Sequence, residues 1–486
     1  MSIVEEMAEF VTRSKYDDLS AEARVQLRIR TLDTLGCAIG ALGADPVRRV
    51  RRFTGSWKRE GPCTSIGGDT GAPDRAALIN GALSRYLDFN DSYLAPGETC
   101  HPSDNFAAIL AAAELADADG LTLLTALAVA YQVQCRMADE ASVRHRGFDH
   151  TTHLAYSAAA GAARALGLDT ECAANAIAMS GASLSALRVT RTGALSHWKG
   201  FAAPFTASAA LEATLLAREG VTGPLGIFEG NKGLMDSITG YFTIHWEHED
   251  LERITATILK RFNAEIHSQT AIQAALDLRG AHQLRARDIA TVEVDVFDVA
   301  YHIIGGGDEG DKTVVMTKED ADHSLPYLIA VALVDGEVMP AQYDSAHIKS
   351  PELQDLLCRV SIRSSRPYSR RFPDEMVSAV TVTLVTGERF SVERSGYPGF
   401  RTDPMTWDDV RDKFFRLASP HSSQEHLSEI VRCVANLENI RTRDLTRLLA
   451  RIPSPVERKL QQRDASTAEG YERFIVPPQA NPLFHQ

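Results

Sequence analysis

Cysteine is scarce in this chain, and its placement excludes several kinds of chemistry. The seven cysteines, Cys37, Cys63, Cys100, Cys135, Cys172, Cys358 and Cys433, are scattered, odd in number and never spaced Cys-x-x-Cys. That spacing offers no zinc knuckle or thiolate-held iron–sulfur cluster, and it fits a reducing compartment. Positive charge is also short. Lys and Arg number 51 against 64 Asp and Glu, a formal net charge of −13. Such a balance argues against non-specific nucleic-acid or anionic-membrane binding. An anionic substrate would therefore need a local basic pocket. No uninterrupted apolar run approaches the roughly 20 residues of a membrane helix. The opening Met1-Ser-Ile-Val-Glu-Glu6 lacks the basic-then-apolar pattern of a signal peptide. There is no internal repeat and no low-complexity tract. The expectation is a cytoplasmic protein with no metal, no cofactor, no nucleic-acid partner and no membrane span.

What is present is an ordinary globular composition, 44% hydrophobic and 24% charged, in 486 residues. That length has room for two or three domains. Helical signals dominate up to about Thr270. Val25, Ile29, Leu32, Leu35 and Ile39 recur at helical spacing. The Ala/Leu/Val-rich stretch Phe106 to Asp139 must be buried all round in part. Thr151 to Leu166 stops at Gly167, and Ala203 to Glu219 stops at Gly220. After about Ala281 the pattern changes. Ile289 to Phe297 alternates like a half-buried strand, and Arg359 to Arg363 is a second strand. Ala379–Val385 and Phe390–Val392 read as a hairpin, while Asp320–Val334 reads as a helix. Helices resume at Trp407, behind a Thr406/Asp409 capping box. The fold class is mainly α, a large helical domain with a smaller α+β unit inserted. The expected boundaries are 1–272 and 403–452 for the helical domain, 273–402 for the α+β unit, and 453–486 for a C-terminal arm.

Three familiar motifs fail. Gly305-Gly-Gly-Asp-Glu-Gly-Asp-Lys-Thr313 is not a phosphate loop, because an Asp separates its last Gly from Lys312, and it reads as a mobile glycine loop. Ser180-Gly-Ala-Ser-Leu-Ser185 lacks the second Gly of a nucleophile elbow. His245-Trp-Glu-His248 reads as a surface turn. A different regularity carries more. Asp88 and Asp91 would share a helix face if the preceding helix runs that far. His101 precedes Pro102-Ser-Asp104, a helix start in which Ser103 and Asp104 supply acceptors. His150, Lys199 and His267 also precede expected helices. Cations are disfavoured at helix N-termini, so His and Lys there suit a bound anion. Arg188, Arg191 and Lys199 cluster, and Lys260-Arg261 precedes His267.

Six ordered stretches carry a resemblance. They are Asp88-Phe-Asn-Asp91, His101-Pro-Ser-Asp-Asn105, Gly147-Phe-Asp-His150, Leu187-Arg-Val-Thr-Arg-Thr-Gly-Ala-Leu-Ser-His-Trp-Lys199, Glu265-Ile-His-Ser-Gln-Thr270 and Asp322-His-Ser-Leu-Pro-Tyr327. Running from about residue 5 to 450, they resemble the MmgE/PrpD family, most closely its 2-methylcitrate dehydratases. The resemblance implies that the α+β unit is a lid, that the protein is a homodimer, and that it acts without metal on citrate-like tricarboxylates. Carried over by motif, the pocket comprises Asp91, His101, His150, Lys199, His267 and Tyr327. The loop Ser92–Cys100 departs from the usual dehydratase form, carrying Pro96-Gly97-Glu98.

The expected chemistry is dehydration of 2-methylcitrate, or a close tricarboxylate, to an aconitate-type alkene. A carbon acid next to a carboxylate needs a base, and hydroxide leaves only with an acid's help. His101, oriented by Asp91, and His150 are the expected proton-transfer pair, with the order left open. Lys199, Arg191 and His267 would hold carboxylates, with Arg188 and Arg261 nearby, and Asp104 and Asn105 would bind further oxygens. Tyr327 would reach in from the lid. The alternatives are a cis-aconitate-type decarboxylase or an epimerase of the same family, or a non-catalytic helical binding protein.

Overall fold

The computed structural model describes residues 1–56, 60–68 and 70–453. Apart from Pro453, the expected C-terminal arm lies outside the described residues. The chain is mainly α-helical, and most of the helices before Leu259 and after Met405 share one apolar core. Val4 to Leu259 and Met405 to Ile452 contribute to that core. A second cluster, from Ile258 to Phe400 with Leu94, occupies the sequence between them.

Most helices form where the periodicity puts them, but the one expected from Ala203 begins at Trp198 and takes in Lys199 instead of following it. Ser20 caps Ala21–Gly40 by accepting from Ala23 N. Its apolar stripe is buried, and only Val25 turns outward, at 41% exposed. The Ala-rich run splits into Phe106–Leu115, buried along nearly its whole length, and Gly120–Glu140. Asp119 caps the second by accepting from Thr122 N. Thr151–Leu166 ends at Gly167 with φ of 66°, which a residue with a Cβ adopts only with strain. Trp198–Arg218, 21 residues with a mean hydropathy of 1.2, has the length and apolarity to cross a membrane, but 56% of that apolar window is buried inside the protein. It packs on Pro73–Tyr86, Thr151–Leu166 and Thr170–Ser183, as a core helix does.

The four-stranded sheet has the order Val360–Ser364, Ile289–Val296, Ser378–Leu384, Arg389–Arg394. The first pair is parallel and the other two are antiparallel. A parallel pair needs a long crossover, and the helices between residues 298 and 357 supply it. Val292, Val294 and Val296 are fully buried and alternate with half-exposed neighbours, as expected. Helices Gln269–His282 and Leu325–Asp335 cover the sheet.

Three further expectations need correction. The helix Pro73–Tyr86 stops before Asp88, whose φ of 56° turns the chain, so Asp88 and Asp91 share no helix face. The helix expected at 320–334 is broken into Lys318–Ala321 and Leu325–Asp335. Ser324 caps the second piece by accepting from Tyr327 N, and Pro326 suits its first turn. His245–His248 is no simple surface turn, because Trp246 is fully buried with its ring 5.7 Å from that of Phe10.

Candidate active site

A short ribbon and three backbone ties assemble the site. Tyr93–Leu94 pairs with Thr99–Cys100, which returns the chain to His101 just before Pro102. Asp149 N donates to Ala186 O at 2.8 Å, and Arg188 N to Gly147 O at 2.8 Å. These bonds set His150 beside the arginines of 188–191. Ser92 and Ile258 exchange backbone bonds of 2.9 and 2.8 Å, which bring Lys260 to the turn at Asp88.

The helix start after His101 is capped from an unexpected direction. Neither Ser103 nor Asp104 is the acceptor. Asp91 Oδ1 accepts from Ser103 N at 3.1 Å and Ser103 Oγ at 2.6 Å, and its Oδ2 accepts from Tyr131 OH at 2.7 Å. Asp91 also orients His101, but through its backbone, with His101 Nδ1 2.7 Å from Asp91 O. A carbonyl only accepts, so the proton sits on Nδ1, and Nε2 keeps its lone pair. His150 faces His101 edge to face, with ring centroids 5.3 Å apart. Its Nδ1 lies 3.4 Å from Asp149 Oδ1, and its buried Nε2 has no partner among the described residues.

Both histidines line one cavity together with His267, Arg85, Arg144, Arg188, Arg191, Lys260 and His323. Its volume is about 40 Å³, room for roughly two or three waters. Burial lowers the His101 pKa well below the ordinary value, and Arg85, Lys260 and His150 lower it further. Burial, with Arg191 and Arg85, brings His150 down to about 3 against the pull of Asp149. Both rings are therefore neutral at neutral pH. His267 is fixed by Glu265, with Nδ1 2.7 Å from Oε1. Burial raises the Glu265 carboxyl, but His267 outweighs it and brings the acid down to about 2.

The cavity floor is a charge lattice. Asp88 Oδ1 accepts from Arg85 at 2.5 Å and Lys260 at 2.8 Å. Lys199 Nζ bonds Asp322 at 2.6 Å and stands 3.4 Å from Asp88. Lys318 takes the other Asp322 oxygen at 2.6 Å, and His323 Nδ1 lies 2.9 Å from Oδ1. Burial opposes ionisation of Asp88, yet Arg85, Lys260 and Lys199 hold it well below the usual carboxylate range. Asp88, Asp322 and His323 have the spacing of a metal-ligand group. Their oxygens are already taken by three ammonium groups and a guanidinium, which a divalent cation would have to displace.

The remaining expected residues divide. Arg191 lines the cavity, and its Nε donates to Asp149 Oδ2 at 2.9 Å. Arg188 lines it too, tied to Glu309 at 2.6 Å. Lys199 is buried and neutralised one layer behind the wall. Tyr327 does not reach in, because it is fully buried in the second core and its hydroxyl donates to the Gln342 carbonyl. Arg261 lines a separate groove with Glu337 and Arg416, and the fully buried Lys260 takes the inward position. Asn105 is spent on Pro102 O, Gln134 and Ser157. Asp104 lies 3.6 Å from Arg85 behind the cavity, and burial raises its carboxyl to about 7 against Arg85.

Sequence reasoning missed Arg85, Arg144, Lys260, Glu309 and His323 as lining groups. His323 stood inside a motif quoted for its tyrosine, and Lys260 stood beside the arginine that was chosen. Arg85, Arg144 and Glu309 had no sequence signal beyond their charge.

Fold and cavity together define a mainly helical protein with a buried pocket lined by a pair of histidines and by arginines. The chain belongs to the MmgE/PrpD family: residues 5–247 match its N-terminal domain and residues 262–439 its C-terminal domain. It is 29% identical over 415 residues to 2-methylcitrate dehydratase of Cupriavidus necator, covering 79% of this chain and 83% of that protein. The 2-methylcitrate dehydratase of Escherichia coli K12 is 28% identical, covering 76% and 80%. Cis-aconitate decarboxylase of Mus musculus is 25% identical, covering 92% and 93%.

Proposed function

We propose that the protein is a hydro-lyase that dehydrates 2-methylcitrate, or a closely related tricarboxylate, to an aconitate-type alkene without a metal. The observation that carries this reading is the pair His101 and His150, edge to face in a cavity walled by arginines, with the buried His150 Nε2 free of hydrogen-bond partners among the described residues. A polycarboxylate entering there raises both histidine pKa values, because its negative charge favours imidazolium. Two imidazolium rings so close repel, so the pair takes up one proton. One ring then removes the proton next to a carboxylate while the other protonates the departing hydroxyl. The arginines and Lys260 stabilise the charge that gathers on the carboxylate as the carbon acid ionises.

The names of the dehydratase relatives support this reading. The long alignment to the decarboxylase favours one alternative, loss of carbon dioxide in the same pocket. Incubation with 2-methylcitrate, citrate and cis-aconitate separates the two, with alkene absorbance and released carbon dioxide as readouts. His101→Ala and His150→Ala should each lower kcat by about 10²–10⁴-fold with little change in the melting profile. Carbon dioxide release from cis-aconitate faster than hydration would overturn the dehydratase reading.

Residues 273–402 would act as a lid, since a tricarboxylate does not fit the present cavity. A homodimer is the expected assembly, and light scattering should give twice the 53.0 kDa chain mass. A monomeric mass would rule it out.

A further inference from the structure

Glu309 is a buried anion in a site expected to bind anions, and it needs a reason to be there. It follows three glycines after the helix Asp298–Ile304, lines the cavity and is 6% exposed. One oxygen is fully engaged: Oε1 lies 2.6 Å from Arg188 Nη2 and 3.3 Å from Arg144 Nη2. The other, Oε2, is buried and has no hydrogen-bond partner among the described residues. The backbone fixes the side chain in place. Glu309 N donates to His302 O at 3.1 Å, and its carbonyl accepts from Gly193 N at 3.4 Å, next to the arginine turn 188–191.

A carboxylate oxygen buried without a donor is costly, so its fitting neighbour is a donor. The carboxylates of a polycarboxylate only accept and are repelled by Glu309, whereas a hydroxyl donates. With Arg144 and Arg188 held on Oε1, Oε2 is the unpaired oxygen of a cavity-lining residue, and Arg85, Arg191 and Lys260 are left for the substrate's carboxylates.

We propose that Glu309 is a specificity-determining residue whose free Oε2 accepts a hydrogen bond from the hydroxyl of a hydroxy-polycarboxylate. The inference rests on the polycarboxylate reading above and adds the feature by which the site distinguishes one acid from another. An acid with the same carboxylates but no hydroxyl leaves Oε2 unpaired and binds less well. A hydrogen bond to a charged acceptor corresponds to a preference of about 10- to 100-fold. No bond is made or broken in this contact.

Citrate and tricarballylate differ only in the hydroxyl, so calorimetric titration of the full chain with each reads the preference directly. The wild type should bind citrate about 10- to 100-fold more tightly. In Glu309→Leu the ratio should fall to near one. In Glu309→Gln it should fall several-fold, because Arg144 and Arg188 keep the amide oxygen and turn an N–H toward the ligand. Glu309→Gln also keeps the side-chain shape if the leucine variant fails to fold. A wild-type ratio near one with both acids bound overturns the proposal and leaves the polycarboxylate reading standing. Binding of neither acid overturns both. A preference that survives in both variants also overturns it and leaves Glu309 only a partner of the two arginines.

Discussion

Glu98 illustrates how a single side chain can record its surroundings as a pH dependence. It sits in the Pro96-Gly97-Glu98 turn, where Arg144 N and Thr99 N donate to its carboxylate at 3.2 and 3.3 Å. Burial pushes its carboxyl up from 4.5 to about 7, against the pull of Arg188 and Arg144. The folded state thus holds the proton more tightly than the unfolded chain. The resulting stability is fully present below the unfolded value and is lost as pH rises through about 7. Glu98→Gln should therefore raise the melting temperature above pH 8 and change it little below pH 4.5, with a limit of about 3 kcal/mol. Thermal melts across that range check the sign, and equal shifts at both ends would remove the argument. Lys199 teaches a related lesson. Expected to hold a substrate carboxylate, it is buried between Asp322 and Asp88, so removing it leaves two buried carboxylates short of a partner.

At the scale of elements, periodicity and stop signals were legible, and close approach was not. The strands at 289–296 and 360–364, the hairpin, and the capping box at Thr406 follow from alternation, turn residues and capping chemistry alone. The break at Asp322–Ser324 falls in the polar stretch just ahead of the apolar run from Leu325, and the cap that makes it is a single serine before a proline. Gly120 shows what no periodicity reports. Its N donates to Ile440 O at 2.8 Å, and a Cβ built there would come within 1.6 Å of the Leu437 carbonyl oxygen. This contact joins the N-terminal helices to the returning C-terminal ones. Gly120→Ala should lower stability by about 1–3 kcal/mol and leave KM unchanged, since the contact is separate from the cavity lining. Denaturant unfolding beside steady-state kinetics tests both halves.

For the whole molecule, the cavity is made by two parts of the chain that have separate apolar cores. His101, His150, Arg144, Arg188 and Arg191 come from the first, and Lys260, His267, Glu309 and His323 from the second. With a volume of only about 40 Å³, the site would have to widen to admit the tricarboxylate proposed above. The loop 305–310, with φ of 98° at Gly306 and 97° at Gly310, carries the Glu309 contacts to Arg144 and Arg188 and is the segment that gating would have to move. Citrate should slow hydrogen exchange at 305–312. Identical exchange with and without citrate, under conditions where citrate binds, would count against gating.

The sequence by itself determined the helical class, the position of the α+β segment, and the motifs bearing His101, His150, His267 and Arg191. Each of these depends on local rules: periodicity, caps, turn residues and short ordered motifs. Only the tertiary structure decided which of two adjacent cations faces inward, Lys260 rather than Arg261. It also took Tyr327 into a core, put Asp91 to work through its carbonyl, and brought Glu309 across to Arg188 over 121 residues of chain. Those outcomes depend on which backbone segments meet, and a pairing between distant segments leaves no periodic trace in either one.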